Sequence, residues 1–260
     1  MISGTYLKTS LHNHSDHDPF DGASGRKLIN FSPYNLIDRA AALNYQVLAL
    51  THHGKLAWDE QWKNYAQTKN ILLIPGLELY LTEQDDLPRD PRTNKPKSWW
   101  KTMHTLILNC ETSTTIEEVH TFRQLEGYKK KHPEIFVIAP HPFFYIESLG
   151  KKLEKYLTLF DAIEISRFYC QFINYNKKAV AIAKKYNLPF IATTDTHKLE
   201  DLETNYCLIE AQKNPTSIFA ALRAGKFQNI STPMKLKDFL TSFFKVPFRK
   251  ADQALISLNK

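Results

Sequence analysis

Val47–Gly54 reads VLALTHHG: an apolar run of strand length passes directly into a threonine and paired histidines. Such a run reads as a strand candidate. Helical patterns flank it. Pro33–Leu43 (PYNLIDRAAAL) follows Ser32, a good N-cap, carries proline in its first turn and sets Leu36, Ile37, Ala40 and Leu43 on one face. Trp58–Thr68 repeats the pattern on the other side.

The same alternation continues along the chain. Strand candidates are YLKTSLHNH, ILLIPGLELYL, MHTLILN, IFVIAPH, AIEIS and PFIATTDTH, with further helices expected over Thr115–Lys131 and Ile173–Tyr186. Strand followed by helix, repeated, predicts an α/β fold, either a mainly parallel sheet or a closed barrel, and the barrel is favoured. His12 and His14 end the first strand, His53 ends the second, Glu78 lies in the third, His141 follows IFVIAP, and Asp195 and His197 end the last. In a parallel barrel these ends share one rim, where active sites are built. His104 is the exception, because it begins its apolar run.

Residues two apart on a strand face the same side, which makes His12 with His14, and Asp195 with His197, chelating pairs. Imidazole and carboxylate donors suit zinc, manganese or iron, and Glu78 can bridge two ions. One histidine at a strand end is ordinarily a satisfied polar residue; convergence of so many is what carries weight. The cysteines Cys110, Cys170 and Cys207 lie far apart, which fits buried thiols in a reducing compartment and gives no metal-type spacing.

The chain has 260 residues, 43% hydrophobic and 23% charged, with a formal charge of +7. That length suits one large α/β domain or two small ones. No apolar run reaches membrane-helix length, and MISGTYLKTS has no basic region followed by an apolar core, so a cytoplasmic protein is expected. The positive charge favours anionic ligands such as phosphate esters or nucleic acid, or simply gives a basic surface. Residues 82–101 (TEQDDLPRDPRTNKPKSWWK) read as a long loop or lid. A barrel domain is expected over 1–230, with 231–260 as a basic, aromatic appendage packed on it.

The motifs HNH, ALTHHG, IPGLEL, MHTLILN, APHP and TTDTH, in this order, resemble those of the PHP family, named for polymerase and histidinol phosphatase. The likeness runs from about Leu7 to Leu199. It implies a distorted (β/α)7 TIM-like barrel whose C-terminal rim holds two or three divalent metal ions and hydrolyses phosphate esters. Carried over by motif, His12, His14, Glu78 and Asp195 would bind one metal. Glu78 would bridge to a second, held by His104 and His141. A third would take His53, His197 and a residue of the loop SDHDPFDG, with Asp21 the first choice, Asp18 next and His17 third. The family usually has Thr-Asp-His where this chain has Thr51, His52 and His53, so His52 reads as an orienting or packing residue.

Arg167, just beyond AIEIS, is a candidate phosphate clamp, and Lys55 a point charge; a surface ion pair is the competing reading for both. Trp99 and Trp100 read as loop packing or as a platform for a base or sugar. His120 and His132 are expected in a helix and at its end, solvated. The expected substrate is a phosphorylated small molecule or a short nucleic acid. The alternatives are a metal-dependent amidohydrolase, in which a lysine rather than a glutamate commonly bridges, and an inactive PHP-like binding module, which would have lost its ligands. No zinc finger, RNA-binding signature or basic run supports a dedicated nucleic-acid module.

Overall fold

A computed structural model describes residues 6–98, 102–110, 114–144 and 147–241. Its order is β1 (Tyr6–Ser10), α1 (Pro33–Ala42), β2 (Val47–Leu50), α2 (Glu60–Thr68), β3 (Leu72–Leu81), β4 (Met103–Leu108), α3 (Phe122–Lys131), β5 (Phe136–Ala139), β6 (Ala162–Ile165), α4 (Asn176–Tyr186), β7 (Phe190–Ala192), β8 (Asn205–Glu210), α5 (Pro215–Arg223) and β9 (Phe227–Ser231). The strands form one nine-stranded sheet in the order β7-β6-β5-β4-β3-β2-β1-β8-β9.

The sheet curls into a nearly closed barrel, as the strand–helix alternation predicts, but its units are not seven regular strand–helix repeats. β1, β2 and β3 are mutually parallel, as are β5, β6 and β7. β4 runs antiparallel to both β3 and β5. That reversal resolves the exception in the sequence, because the start of β4, with His104, lies at the same rim as the ends of the parallel strands. β8 and β9 form an antiparallel extension beyond β1 that the sequence reading did not anticipate. α5 was missed with them, although Asn214 caps it and Pro215 opens it.

Side-chain parity separates core from site. Ile74, Leu106, Ile138 and Ala162 belong to a buried interior cluster, and Glu78, His104 and Glu164 lie on the same faces of their strands further along. The barrel interior is therefore apolar at one end and ionisable at the other. Phe219 of α5 stacks on Phe136 with centroids 4.8 Å apart, covering the apolar end. The opposite parity, including Leu77, Ile107, Val137 and Ile163, packs in an outer cluster with Leu125 of α3 and Ala179 of α4. Leu36 and Ile37 of α1 and Ala66 of α2 cover Leu48 and Leu50.

Two predicted helices are shorter than the periodicity suggests. Thr114–Glu118 is a 3-10 turn, and α3 starts only after Thr121, whose side chain accepts from the Gln124 backbone while Gln124 reaches back to Thr121. That reciprocal cap sets the start of the helix and leaves His120 outside it. α4 begins at Asn176, whose side chain bonds both the N–H and the C=O of Ser166. Beyond β9, Thr232 N donates to Thr204 O, Met234 N donates to Tyr169 O, and Phe239 is buried. The rest of the expected appendage, 242–260, lies outside the described residues, as do Trp99 and Trp100. Among the described residues no helix is long and apolar enough to cross a membrane.

Closure depends on side chains that imitate a strand ladder. Asn229 of β9 accepts from Ala192 N and donates to Phe190 O of β7 (2.8 and 2.7 Å). Nearer the rim, Asn13 joins the chain beyond β1, β2 and β7. Its Oδ1 accepts from Ser10 Oγ, Thr194 Oγ1 and Thr196 Oγ1 at 2.8–3.1 Å, and its Nδ2 donates to Ala49 O at 2.8 Å. Asn13 is fully buried, so truncation would orphan several of these groups. Asn13→Ala should destabilise the metal-free fold by about 2–4 kcal/mol, measured by urea denaturation; a change below about 0.5 kcal/mol would show that the latch is dispensable.

Candidate metal centre

The loop after β1 folds tightly on itself: a Cβ at Gly22 would lie 2.5 Å from the Asp18 carbonyl oxygen, and Gly22 N donates to that same oxygen at 2.8 Å. This turn brings Asp18 and Asp21 back to the histidines. Two other candidates sit on unusual backbone, since His141 and Asp195 have φ of 26° and 44°. Left-handed backbone at non-glycine residues costs roughly 1–3 kcal/mol and concentrates at functional sites.

Glu78 stands at the centre. Its Oε2 lies 3.3 Å from His12 Nε2, 3.5 Å from His14 Nε2 and 3.1 Å from His53 Nε2. Its Oε1 lies 2.7 Å from His104 Nδ1 and 3.1 Å from His141 Nε2. Asp195 Oδ1 completes the first group, 3.5 Å from the Nε2 atoms of both His12 and His14, which are 3.1 Å from each other. Tetrahedral donors about 2.0–2.1 Å from a metal are roughly 3.3–3.4 Å apart, so the donor set has the spacing of a coordination shell. Among the described residues neither ring nitrogen of His104 finds a hydrogen-bond partner of good geometry, despite the short approach to Glu78. Two donors aimed at a shared third atom behave in this way. The buried triplets His12–His14–Asp195 and His53–Glu78–His104 each bring one donor atom per residue within 4.8 Å of one another.

Carboxylates behind the imidazoles fix their orientation. Glu164 Oε2 is 2.8 Å from His12 Nδ1. Asp18 Oδ2 is 2.8 Å from His14 Nδ1 and 2.9 Å from His53 Nδ1, and it also accepts from His53 N. Its Oδ1 accepts from Phe20 N and Asp21 N. With both oxygens engaged, Asp18 joins two histidines, and His14, Asp18 and His53 form a third buried triplet whose donor atoms lie within 4.8 Å of one another. Glu147 Oε2 lies 3.5 Å from His104 Nε2, and Glu147 Oε1 pairs with Lys95. The sequence reading missed Glu164 and Glu147. Glu164 had a signal, a lone acid of inward parity in AIEIS; Glu147 sits in an irregular loop and had none.

The donors implied for a third metal are gathered less closely. His197 Nε2 meets Asp21 Oδ2 at 3.1 Å, but His53 turns one nitrogen to Glu78 and the other to Asp18. Arg26 pairs with Asp21. His17 is 56% exposed and sits beside Asp16, away from the cluster. His52 is buried against Ser15 Oγ at 2.8 Å, and burial pushes its pKa down to about 3, so it is a neutral packing residue.

Arg167 is not a free clamp: its Nε donates to Asp195 O at 3.0 Å and its NH1 to Asp201 Oδ1 at 2.9 Å, which braces the loop carrying Asp195. Lys55 pairs with Glu117 at 2.8 Å, the ion-pair alternative. His120 is half-buried rather than solvated, and its carbonyl accepts from Arg89. His132 caps the end of α3.

The electrostatics call for cations. Burial would raise the Glu78 pKa, but His104, His53 and His12 hold it well below the carboxylate range; Asp195 is likewise depressed, by His12 and His197. Burial disfavours charged histidine, yet the surrounding carboxylates raise His14 and His104 to about 9. Without an added cation the cluster must hold protons, and divalent ions in the same place would satisfy the same carboxylates.

The insertion lies beside this rim. Arg89 donates to the carbonyls of Tyr80, Asn94 and His120, and Asn94 Nδ2 donates to Glu117 O. A Cβ on Gly54, which has φ 65°, would clash with the Thr93 carbonyl, so a side chain there would displace the insertion. Lys95 Nζ sits 3.9 Å over the Phe20 ring.

Residues 174–227 match the PHP-associated family model. The chain is 23% identical over 278 residues to DNA polymerase III subunit alpha of Aquifex aeolicus (strain VF5), a match covering 95% of this chain and 23% of that one. It therefore spans about a quarter of that relative's length. Among solved structures, PsfC from Pseudomonas syringae PB-5123 shares the fold with a TM-score of 0.57 and 12% identity, covering 94% of this chain and 99% of that one. An amidohydrolase from Chromobacterium violaceum, solved with bound sulfate and no metal, gives a TM-score of 0.50 and 14% identity over 73% and 87% of the two chains.

The pairing of Asp18 with two imidazoles gives a sharp expectation. Asp18→Asn should weaken manganese binding about 10–100-fold while the fold is retained, read by calorimetric titration and circular dichroism. Unchanged affinity would mean that His14 and His53 are positioned by packing alone.

Proposed function

We propose that this PHP-family chain is a metal-dependent phosphoesterase, hydrolysing a phosphomonoester, nucleotide or short oligonucleotide with a water activated at the Glu78 cluster. The observation that carries the reading is the split of the Glu78 carboxylate, with one oxygen facing His12, His14 and His53 and the other facing His104 and His141. A carboxylate divided between two nitrogen-rich groups suits a bridge between divalent ions such as manganese, iron or zinc. Bound there, such ions supply an acidified water and positive charge toward the phosphoryl oxygens.

The chain's own residues do the rest. His12, His14 and Asp195 converge on one side of Glu78, and His104 and His141 on the other. Glu164 and Asp18 keep the Nδ1 atoms of His12, His14 and His53 occupied, so their Nε2 atoms face inward. Arg167 fixes the Asp195 carbonyl and with it the strained turn that aims the carboxylate. The insertion narrows the approach from the Phe20 side. A third ion at Asp21 and His197 would need His53 to leave one of its present partners, so two ions are the simpler occupancy.

An amidohydrolase shares this fold class, and a glutamate in the bridging position favours the phosphoester reading over it. A panel of phosphate monoesters, diesters and cyclic amides separates the two. Chelation should abolish phosphoester hydrolysis, and manganese, iron or zinc should restore it. Glu78→Gln keeps the shape but removes the bridging charge, so turnover should fall at least about 100-fold and metal content should drop. His17→Asn should leave both within about twofold. Full activity in metal-free protein, or the reverse ranking of the two variants, would contradict the proposal.

A further inference from the structure

Tyr80 follows Glu78 by two residues on β3 and so shares its inward face. It is 1% exposed, and its ring centroid lies 5.1 Å from that of His104 and 5.8 Å from that of His53. Both guanidinium NH groups of Arg89 donate to its carbonyl at 3.1 Å. Ring and backbone are thus fixed, yet the hydroxyl has no hydrogen-bond partner among the described residues. Buried phenols ordinarily find one, and leaving one unpaired costs stability that phenylalanine in the same space would not lose.

The surroundings indicate what the absent partner is. Lys95 Nζ lies 5.3 Å from the Tyr80 ring centroid, on the side where the insertion meets the rim. Lys95 is itself paired with Glu147, so it is the cations the cluster calls for that favour an anionic acceptor. We propose that the Tyr80 hydroxyl is a substrate-binding donor that takes one oxygen of the phosphate group held at the Glu78 cluster. This rests on the phosphoesterase reading and adds a residue that the sequence motifs do not contain.

The test compares wild-type and Tyr80→Phe protein, both loaded with manganese, by calorimetric titration with inorganic phosphate, elemental analysis and thermal unfolding. The variant should bind phosphate about tenfold more weakly, a loss of one charge-assisted hydrogen bond. Its manganese content should equal that of the wild type, its unfolding midpoint should be equal or higher, and KM for a phosphoester should rise. Equal phosphate affinity at equal manganese content would overturn the assignment. So would a lowered midpoint, which would show a structural partner for the hydroxyl, or loss of manganese, which would show that it supports the ions instead. If the manganese-loaded wild type neither binds phosphate nor cleaves phosphoesters, the phosphoesterase reading itself fails and this assignment falls with it; failure in the variant arm alone leaves that reading standing.

Discussion

The two oxygens of one buried carboxylate, Glu78, face different groups of histidines, and the upper half of the barrel is arranged around that division. An isolated carboxylate in this position would be expensive to bury. It is tolerated because imidazoles approach it from β1, β2, β4 and the turn after β5. For these elements to meet, β4 must run backwards so that its first residues reach the rim, and the chain ends beyond β1 and β7 must be latched together by Asn13. Fold and site are therefore one problem: the contacts that close the barrel also set the position of His12 and His14.

Much of this was legible because strand parity carries information. His-x-His beyond β1, Asp-x-His beyond β7 and Glu78 within a long apolar run all place ionisable groups on an inward face, and the ordered motifs resemble a known family. The reversed β4 was visible only as an anomaly, the histidine that begins a strand. Periodicity reports where strands are, but it does not report their direction. Asp18 and Asp21 could not be distinguished in the sequence because the answer depends on a loop turning at Gly22, which gives one carboxylate to His14 and His53 and the other to His197 and Arg26.

What sequence could not give were the partners brought in by irregular chain. Glu147 and Lys95 come from a loop and from the insertion, distant in sequence from each other, and meet only because both excursions return to the same rim. Arg167 looked like a clamp because it follows a strand, but its guanidinium braces the Asp195 turn. Such residues set the orientation of the donors they touch, as expected where buried imidazoles must each present one chosen nitrogen.

Anomalous diffraction from crystals of manganese-loaded protein tests the central claim most directly. The account predicts separate peaks on the two sides of the Glu78 carboxylate, one among His12, His14 and Asp195 and one beside His104 and His141, each about 2.0–2.3 Å from its donor atoms. A single peak remote from Glu78, or none in protein that elemental analysis shows to contain manganese, would contradict it.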